Sequence, residues 1–527
     1  MKTIHKDILL ASLIAIAAGG LNAQTLPSAP RLVVSLTIDQ LRTDYMEYFA
    51  PLYGERGFKR LLREGKVYTY AEMPFAAPDR ASAIATLQTG AVPSQHGIVA
   101  ENWMDTKTLR PVNCVDDAAF MGNYTDESSS ANSLLVTNVA DELRIATRNR
   151  ALVYSIAPFR DAAILSAGHA ANGAFWINEV TGKWCSTTYY ADFPWWLSQY
   201  NDRHSVDNRI KELVWTPSYP VESYRYLPEW RETAFRYKFD AERENKYRRL
   251  ITSPYANDEV NQLVETLFSK STIGQDPIPD LLALTYYAGN YNHLSATDGA
   301  MELQDTYVRL DQSIAQLIEL IDQKIGLGNV LVCISSTGYS DAETPDAALY
   351  RTPGGEFHIE RCATLLNMYL MATYGEGQYV EGYYNNQIYL NEKLIENKQL
   401  DLNDIESKAE AFLVQFSGVD RVYAGHRMLL GTWSPQLEKL SNGYHRKRSG
   451  NLTLTLLPGW VNASQHSKVQ QRISRNAYLP SPLILMGSSI QAQRITTPVS
   501  AQRIAPTLSR AMRIRAPNAS QLPPLDL

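Results

Sequence analysis

Charge is scarce in this chain, and what there is nearly cancels. Only 20% of its 527 residues are Asp, Glu, Lys or Arg, and the formal net charge at pH 7 is −5. The longest basic block is His445-Arg446-Lys447-Arg448. That fits a solvated turn and falls short of the extended positive face that nucleic acid requires, so no nucleic-acid partner is expected. Long apolar runs are also missing. Beyond one stretch near the start, none approaches the roughly 20 residues that cross a bilayer, so no transmembrane segment is expected. No internal repeat and no low-complexity tract is visible, and the 45% hydrophobic content suits a globular chain with a large core. Cysteine is sparse: Cys114, Cys185, Cys333 and Cys362 allow three pairings in an oxidising compartment, with Cys333 expected as a buried free thiol in an apolar strand.

The start of the chain has the layout of a secretory signal. Lys2 and Lys6 precede an apolar run from Ile8 to Ala18, and Leu21-Asn22-Ala23 leads to Gln24. Cleavage is expected after residue 23, giving a mature domain over 24–527. No Cys near that point offers a lipid acceptor. Export follows as the expectation, to the periplasm or to the periphery of the outer membrane or cell surface.

β-branched runs then alternate with amphipathic helical patterns, the signature of an α/β layered domain. Leu32 to Ile38, Leu281 to Tyr287 and Val330 to Ile334 read as buried strands. Between the last two, Leu303, Tyr307, Leu310, Ile314, Leu317 and Ile321 recur at helical spacing over about 299–325. Strand, helix, strand implies a central, mostly parallel sheet. Two segments break the pattern. Residues 183–275 are rich in aromatics, including Trp184, Trp195, Trp196, Trp215 and Trp230, which suit packing or, if exposed, a protein-binding surface. Residues 365–445 read as strand, helix and strand, a small α+β lid.

Val33 to Asp39 followed by Gln40-Leu41-Arg42-Thr43-Asp44-Tyr45, then Thr89-Gly90, Pro93 to Ile98, Asn102-Trp103, Asp305 to Asp311, Gly443 to Gly450 and Pro458-Gly459-Trp460, resembles the alkaline phosphatase superfamily. The match is to the branch of monomeric alkaline phosphatases and nucleotide pyrophosphatase/phosphodiesterases, and it covers nearly the whole mature chain. The resemblance implies an alkaline-phosphatase-like core in which two zinc ions clamp the attacking and leaving oxygens of phosphoryl transfer, each held by about three Asp or His donors.

Carried over residue by residue, most of that site is missing. Asp39 matches the first ligand of one zinc, but its two companions fall on Ser336 and Thr337. At the second zinc, His293 matches, while the other donors fall on Gly289 and Pro480. Asp341 is the nearest spare carboxylate. The nucleophile, a Thr or Ser before a Pro at a helix N-terminus in relatives, falls on Ala76 in one register and Arg80 in another, with Ser82 the nearest hydroxyl. Ala76 also stands where sulfatases carry the Cys of formylglycine. The phosphate-holding Lys and Arg fall on Phe159 and Asp161 around Arg160, and Glu101 beside Asn102 would repel phosphate. Asp39 is expected to cap a helix, His293 to line a cleft, and Asp305, Arg309 and Asp311 to form structural ion pairs. The expectation is an exported pseudophosphatase that binds no cofactor and serves a protein partner in the cell envelope. The alternative is a zinc-dependent phosphomonoesterase or phosphodiesterase with a rearranged site built on Asp39, His293, Asp341 and Ser82.

Overall fold

Continuous apolar runs such as Leu32-Val33-Val34 cannot face water on either side, and they collect in the middle of one ten-stranded sheet. The computed structural model describes residues 29–227, 231–241, 245–294, 296–343, 354–431, 434–463, 473–476 and 479–527. The expected signal segment 1–23 and Trp230 lie outside the described residues. The sheet comprises β1 (Leu32–Asp39), β2 (Lys66–Tyr68), β3 (Gly122–Asn123), β4 (Val153–Ile156), β5 (Gly173–Ile177), β6 (Trp184–Thr187), β7 (Asp280–Tyr287), β8 (Val330–Ser336), β9 (Leu483–Gly487) and β10 (Gln493–Ile495). Its strand order is β10-β2-β9-β8-β1-β7-β4-β5-β6-β3. The centre is parallel: β1 pairs in parallel with both β7 and β8, and β4 continues the parallel run between β7 and β5. β9 runs antiparallel to β8 and β2, so the sheet is mixed but mostly parallel. Every residue of β1, β7 and β8 is buried, as strands covered on both faces require.

The helices of this core include α1 (Arg80–Thr89), α2 (Tyr255–Lys270) and α3 (Ala296–Lys324). α3 links β7 to β8 and buries Leu303, Tyr307, Leu310, Ile314, Leu317 and Ile321, the stripe read from the sequence. Asp305 on α3 is fully buried and pairs with Arg309, but Asp311, expected in an ion pair, instead accepts the backbone N–H groups of Gly54 and Phe58.

The aromatic segment is built into the core. Trp184 lies on β6 in the central sheet, Trp196 and Trp215 are buried in the main hydrophobic cluster, and Trp195 is 69% exposed. Of the two readings that the sequence left open for these Trp side chains, packing or an exposed binding surface, the structure gives interior packing for Trp184, Trp196 and Trp215, with Trp195 on the surface. Residues 365–445 lie within a unit that has its own hydrophobic core. Its four-stranded antiparallel sheet takes the strands Val380–Tyr384, Gln387–Leu390, Leu452–Leu456 and Val419–Ala424, in that spatial order, with the helices Ile359–Tyr374 and Leu402–Leu413 packed against it. No helix among the described residues is long and apolar enough to cross a membrane.

Candidate functional site

Because β1, β7 and β8 are parallel neighbours in register, their C-terminal ends finish together. Asp39 pairs with Tyr287, and Ile38 with Ser336. This edge of an open α/β sheet is where such folds present their sites, and it collects Asp39, Gly289, Ser336 and Thr337 as the resemblance implied. Each is already engaged. The Thr337 hydroxyl donates to Asp39 Oδ1 at 2.9 Å and accepts from the Gln40 N–H at 2.9 Å. Ser336 donates to the Leu41 carbonyl at 2.7 Å. Pro480 offers only its carbonyl, which accepts from the Thr43 N–H. A Cβ at Gly289 would stand 2.6 Å from the Tyr287 hydroxyl and 2.8 Å from Gln40 Cδ, so a longer side chain has no room unless both neighbours move.

His293 and Asp341 form a separate pair, with Nδ1 and Oδ2 2.8 Å apart. Gln40 bridges this pair to the strand end: its Nε2 donates to Asp341 Oδ2 and its Oε1 accepts from the Asp341 N–H. The hydrogen bond to Asp341 raises the His293 pKa against the opposing effect of burial. Gln40 was invisible as a site residue in the sequence. Its left-handed backbone, φ 64°, is what turns the side chain toward Asp341, and no sequence signal marks it.

The resemblance places the nucleophile at Ala76 or at Arg80, before or at the start of α1, and the N-terminus of α1 is built by a reciprocal cap. Asp79 Oδ1 accepts from the Ser82 N–H at 2.9 Å, while Ser82 Oγ accepts from the Asp79 N–H at 3.0 Å. Ser82 is fully buried and its hydroxyl serves this cap. Arg80 is the first residue of α1 and faces Asp39. Ala76 belongs to the preceding loop, where its N–H donates to Lys439 O. Asp39 itself caps nothing: the next helix, Thr43–Tyr48, starts after Arg42 without a side-chain cap.

Arg80 dominates the electrostatics. Its Nε lies 3.1 and 3.0 Å from the two carboxylate oxygens of Asp161, and Nη2 lies 2.9 Å from Asp161 Oδ1. Nη2 is also 3.3 Å from Glu101 Oε1, and Nη1 is 3.9 Å from Asp39 Oδ2. The guanidinium carbon sits 3.9 Å from the centre of the Phe159 ring. Burial works against the charge on Arg80, but Asp161, Glu101 and Asp39 outweigh it and hold the guanidinium protonated. Burial pushes the Asp39 carboxyl up, against Arg80 and the hydroxyls of Thr337 and Tyr339. Arg160, the basic residue left beside Phe159, turns away to Asp116 and Ser129.

These residues do not fit two zinc ions. Ser336 and Thr337 supply hydroxyls spent on the backbone and on Asp39, the space beside Gly289 is filled, and the cationic centre is a side chain. Among the described residues, no three His, Cys, Asp or Glu side chains gather so as to hold a metal ion.

A family model described as type I phosphodiesterase / nucleotide pyrophosphatase matches residues 33–477. Similar proteins include the alkaline phosphatase PafA of Elizabethkingia meningoseptica, 27% identical over 530 residues and 96% of each chain. The alkaline phosphatase PhoV of Synechococcus elongatus is 28% identical over 511 residues, covering 93% of this chain and 91% of its own. A protein of Myroides odoratus named calcium-transporting ATPase is 29% identical over 512 residues, 93% of each chain. The crystal structure of PafA superimposes with a TM-score of 0.83 at 27% identity, covering 95% of this chain and 99% of that one.

Proposed function

The chain belongs to the type I phosphodiesterase / nucleotide pyrophosphatase family within the alkaline phosphatase superfamily, and from that premise we propose that it is an exported pseudophosphatase. The observation that carries this reading is Arg80. A guanidinium gripped by Asp161 and Glu101 stands at the head of the helix where relatives present a hydroxyl, and it can neither attack phosphorus nor be displaced without exposing buried carboxylates. The remaining donors, Asp39 and His293, are each tied to a neighbour other than a metal. Five carboxylates line or approach the cleft, Asp39, Asp79, Glu101, Asp161 and Asp341, against Arg80 and His293. That balance repels a phosphate dianion. Export rests on the charged and apolar opening of the sequence, and action through a protein partner in the cell envelope rests on finding, among the described residues, no competent hydroxyl and no group of three metal donors at the strand ends.

The second reading, a phosphoric ester hydrolase with a rearranged site, draws on the relatives named alkaline phosphatases along more than nine-tenths of this chain. Zinc analysis of the purified mature protein, paired with phosphomonoester and phosphodiester assays, separates the two. Less than one zinc per ten chains with turnover at background is expected. Two tightly held zinc ions with hydrolysis that a chelator abolishes would refute the pseudophosphatase.

A further inference from the structure

The misfit between this site and zinc has a structural counterpart. Three carboxylates, Asp39, Glu101 and Asp161, lie within 3.9 Å of one guanidinium. Two of them are interior: the side chains of Asp39 and Asp161 are 1% and 4% exposed, and Arg80 is itself 14% exposed. Asp39 Oδ2 is buried, has no hydrogen-bond partner, and has Arg80 Nη1 as its cation at 3.9 Å. Carboxylates taken out of water require a positive charge close by, because the low-dielectric interior magnifies their mutual repulsion. Of the three, only Asp39 stands at a position where the resemblance implies a zinc ligand, and there a metal would supply that charge. Here we infer that Arg80 is a resident substitute for it, a side-chain cation that lets the strand ends and the head of α1 fold around buried carboxylates without a bound ion.

The details favour guanidinium over any other side chain. A planar fork reaches Asp161 through two nitrogens and Glu101 through one of them, while its flat face rests on Phe159. An ammonium is a point charge with three tetrahedral donors; it cannot lie flat on the ring or span both carboxylates. With Arg80 removed, the carboxylates of Asp39, Glu101 and Asp161 lose their shared cation, although in the wild-type arrangement no three such side chains among the described residues gather so as to hold a metal ion. All three donate oxygen, the atom that a hard divalent cation takes at about 2.3–2.6 Å in flexible geometry, so added calcium probes whether they can close on an external charge in place of the guanidinium.

This inference rests on the pseudophosphatase reading, since a zinc-loaded wild type would leave Arg80 no charge to replace. It is tested by thermal unfolding of wild type, Arg80→Ala and Arg80→Lys, each with chelator or with 1 mM calcium chloride, with bound calcium measured after gel filtration. Wild type is expected to shift by less than about 1 °C with calcium. Arg80→Ala is expected to unfold several degrees lower and to recover about 2–4 °C with calcium, an effect that the added change Asp161→Asn abolishes. Arg80→Lys keeps a charge and is expected to fall between the two. If Arg80→Ala does not fold, Arg80→Gln, which keeps much of the volume, takes its place in the same comparison. A neutral variant as stable as wild type, or one indifferent to calcium, overturns the inference and leaves the functional reading standing. Wild type that binds zinc and turns over phosphate esters overturns both.

Discussion

Asp305 offers the sharpest test of how the aromatic segment is held to the core. This carboxylate is fully buried on α3 and takes four donors. Trp215 Nε1 and Arg309 Nε reach Oδ2 at 2.6 and 2.8 Å, and the Ser218 N–H and Tyr224 hydroxyl reach Oδ1, each at 2.7 Å. Three of the four belong to the segment that joins β6 to α2, so one side chain docks that excursion onto the longest helix. Hydrogen bonds to a charged group contribute about 1.5–3 kcal/mol each, but these share one carboxylate and cannot be summed. The better guide is the cost of breaking a buried ion pair from one side, about 3–5 kcal/mol, because Arg309 loses its ion-pair partner, keeping the Thr216 carbonyl, and the indole N–H loses its acceptor. Asp305→Ala is expected to lose that amount. Asp305→Asn keeps the shape and one acceptor but turns an NH2 toward the remaining donors, so a loss of about 2–3 kcal/mol is expected. Urea unfolding measures the loss, and hydrogen exchange over 214–238 locates it. Exchange there should accelerate first, with the β1–β7–β8 core still protected. If both variants unfold within about 0.5 kcal/mol of wild type, or if exchange accelerates evenly across the sheet, the docking argument fails.

Two further outcomes follow from buried titratable groups. His96 accepts the Ile98 N–H at Nδ1 and so donates from Nε2 to Thr86 at 3.0 Å; burial, with Arg448 and His445 nearby, lowers its pKa to about 3. The unfolded chain binds that proton near pH 6.5, so the neutral His96 contributes stability above that pH and loses on the order of 4 kcal/mol as pH falls toward 3. His96→Gln should flatten this acid limb in a pH series of unfolding midpoints, and an unchanged limb would count against it. All four cysteines are buried and unpaired, with the thiol of Cys362 raised to about 11 and those of Cys185 and Cys333 to about 12 by burial. A thiol reagent should therefore find none in the native protein and four after unfolding without reductant; fewer than four would reveal a disulfide.

Periodicity made the central architecture legible. Buried strands announce themselves as unbroken β-branched runs, and α3 does so by its stripe of six apolar residues, because each must match a covered surface repeatedly along its length. Site positions were legible for a different reason: they sit at the ends of those strands, so locating the strands located Asp39, Gly289, Ser336 and Thr337. Pairwise chemistry was not legible. Nothing in sequence spacing says that Asp161 meets Arg80 across 81 residues or that Asp311 reaches the backbone of Gly54 across 257. Asp39 reads as a helix cap because a carboxylate after a strand often is one, yet Thr337, from the end of β8, takes its Oδ1 instead. Tryptophan density left packing and binding surface open for the same reason, since composition cannot tell a ring that faces water from one such as Trp215 that closes a core.

On the pseudophosphatase reading, these substitutions are mechanically coupled. A two-metal site concentrates negative donors that are tolerable only while cations are bound, so replacing some ligands leaves the others as unpaired charge. In this chain each survivor has a partner: Asp39 has Thr337 and Arg80, and His293 has Asp341, while the carboxylates Asp161 and Asp341 that stand nearby are themselves held by Arg80 and Gln40. The partners also occupy the space that restored ligands would need, as Tyr287 and Gln40 do beside Gly289. Putting back one donor therefore adds a charge without its metal and a side chain without its room. Gly289→Asp alone is expected to lower the unfolding midpoint in urea and to bind no zinc, and a variant as stable as wild type would show that the space beside Gly289 is not closed. A competent site would require changing the strand ends, Gln40 and the head of α1 together.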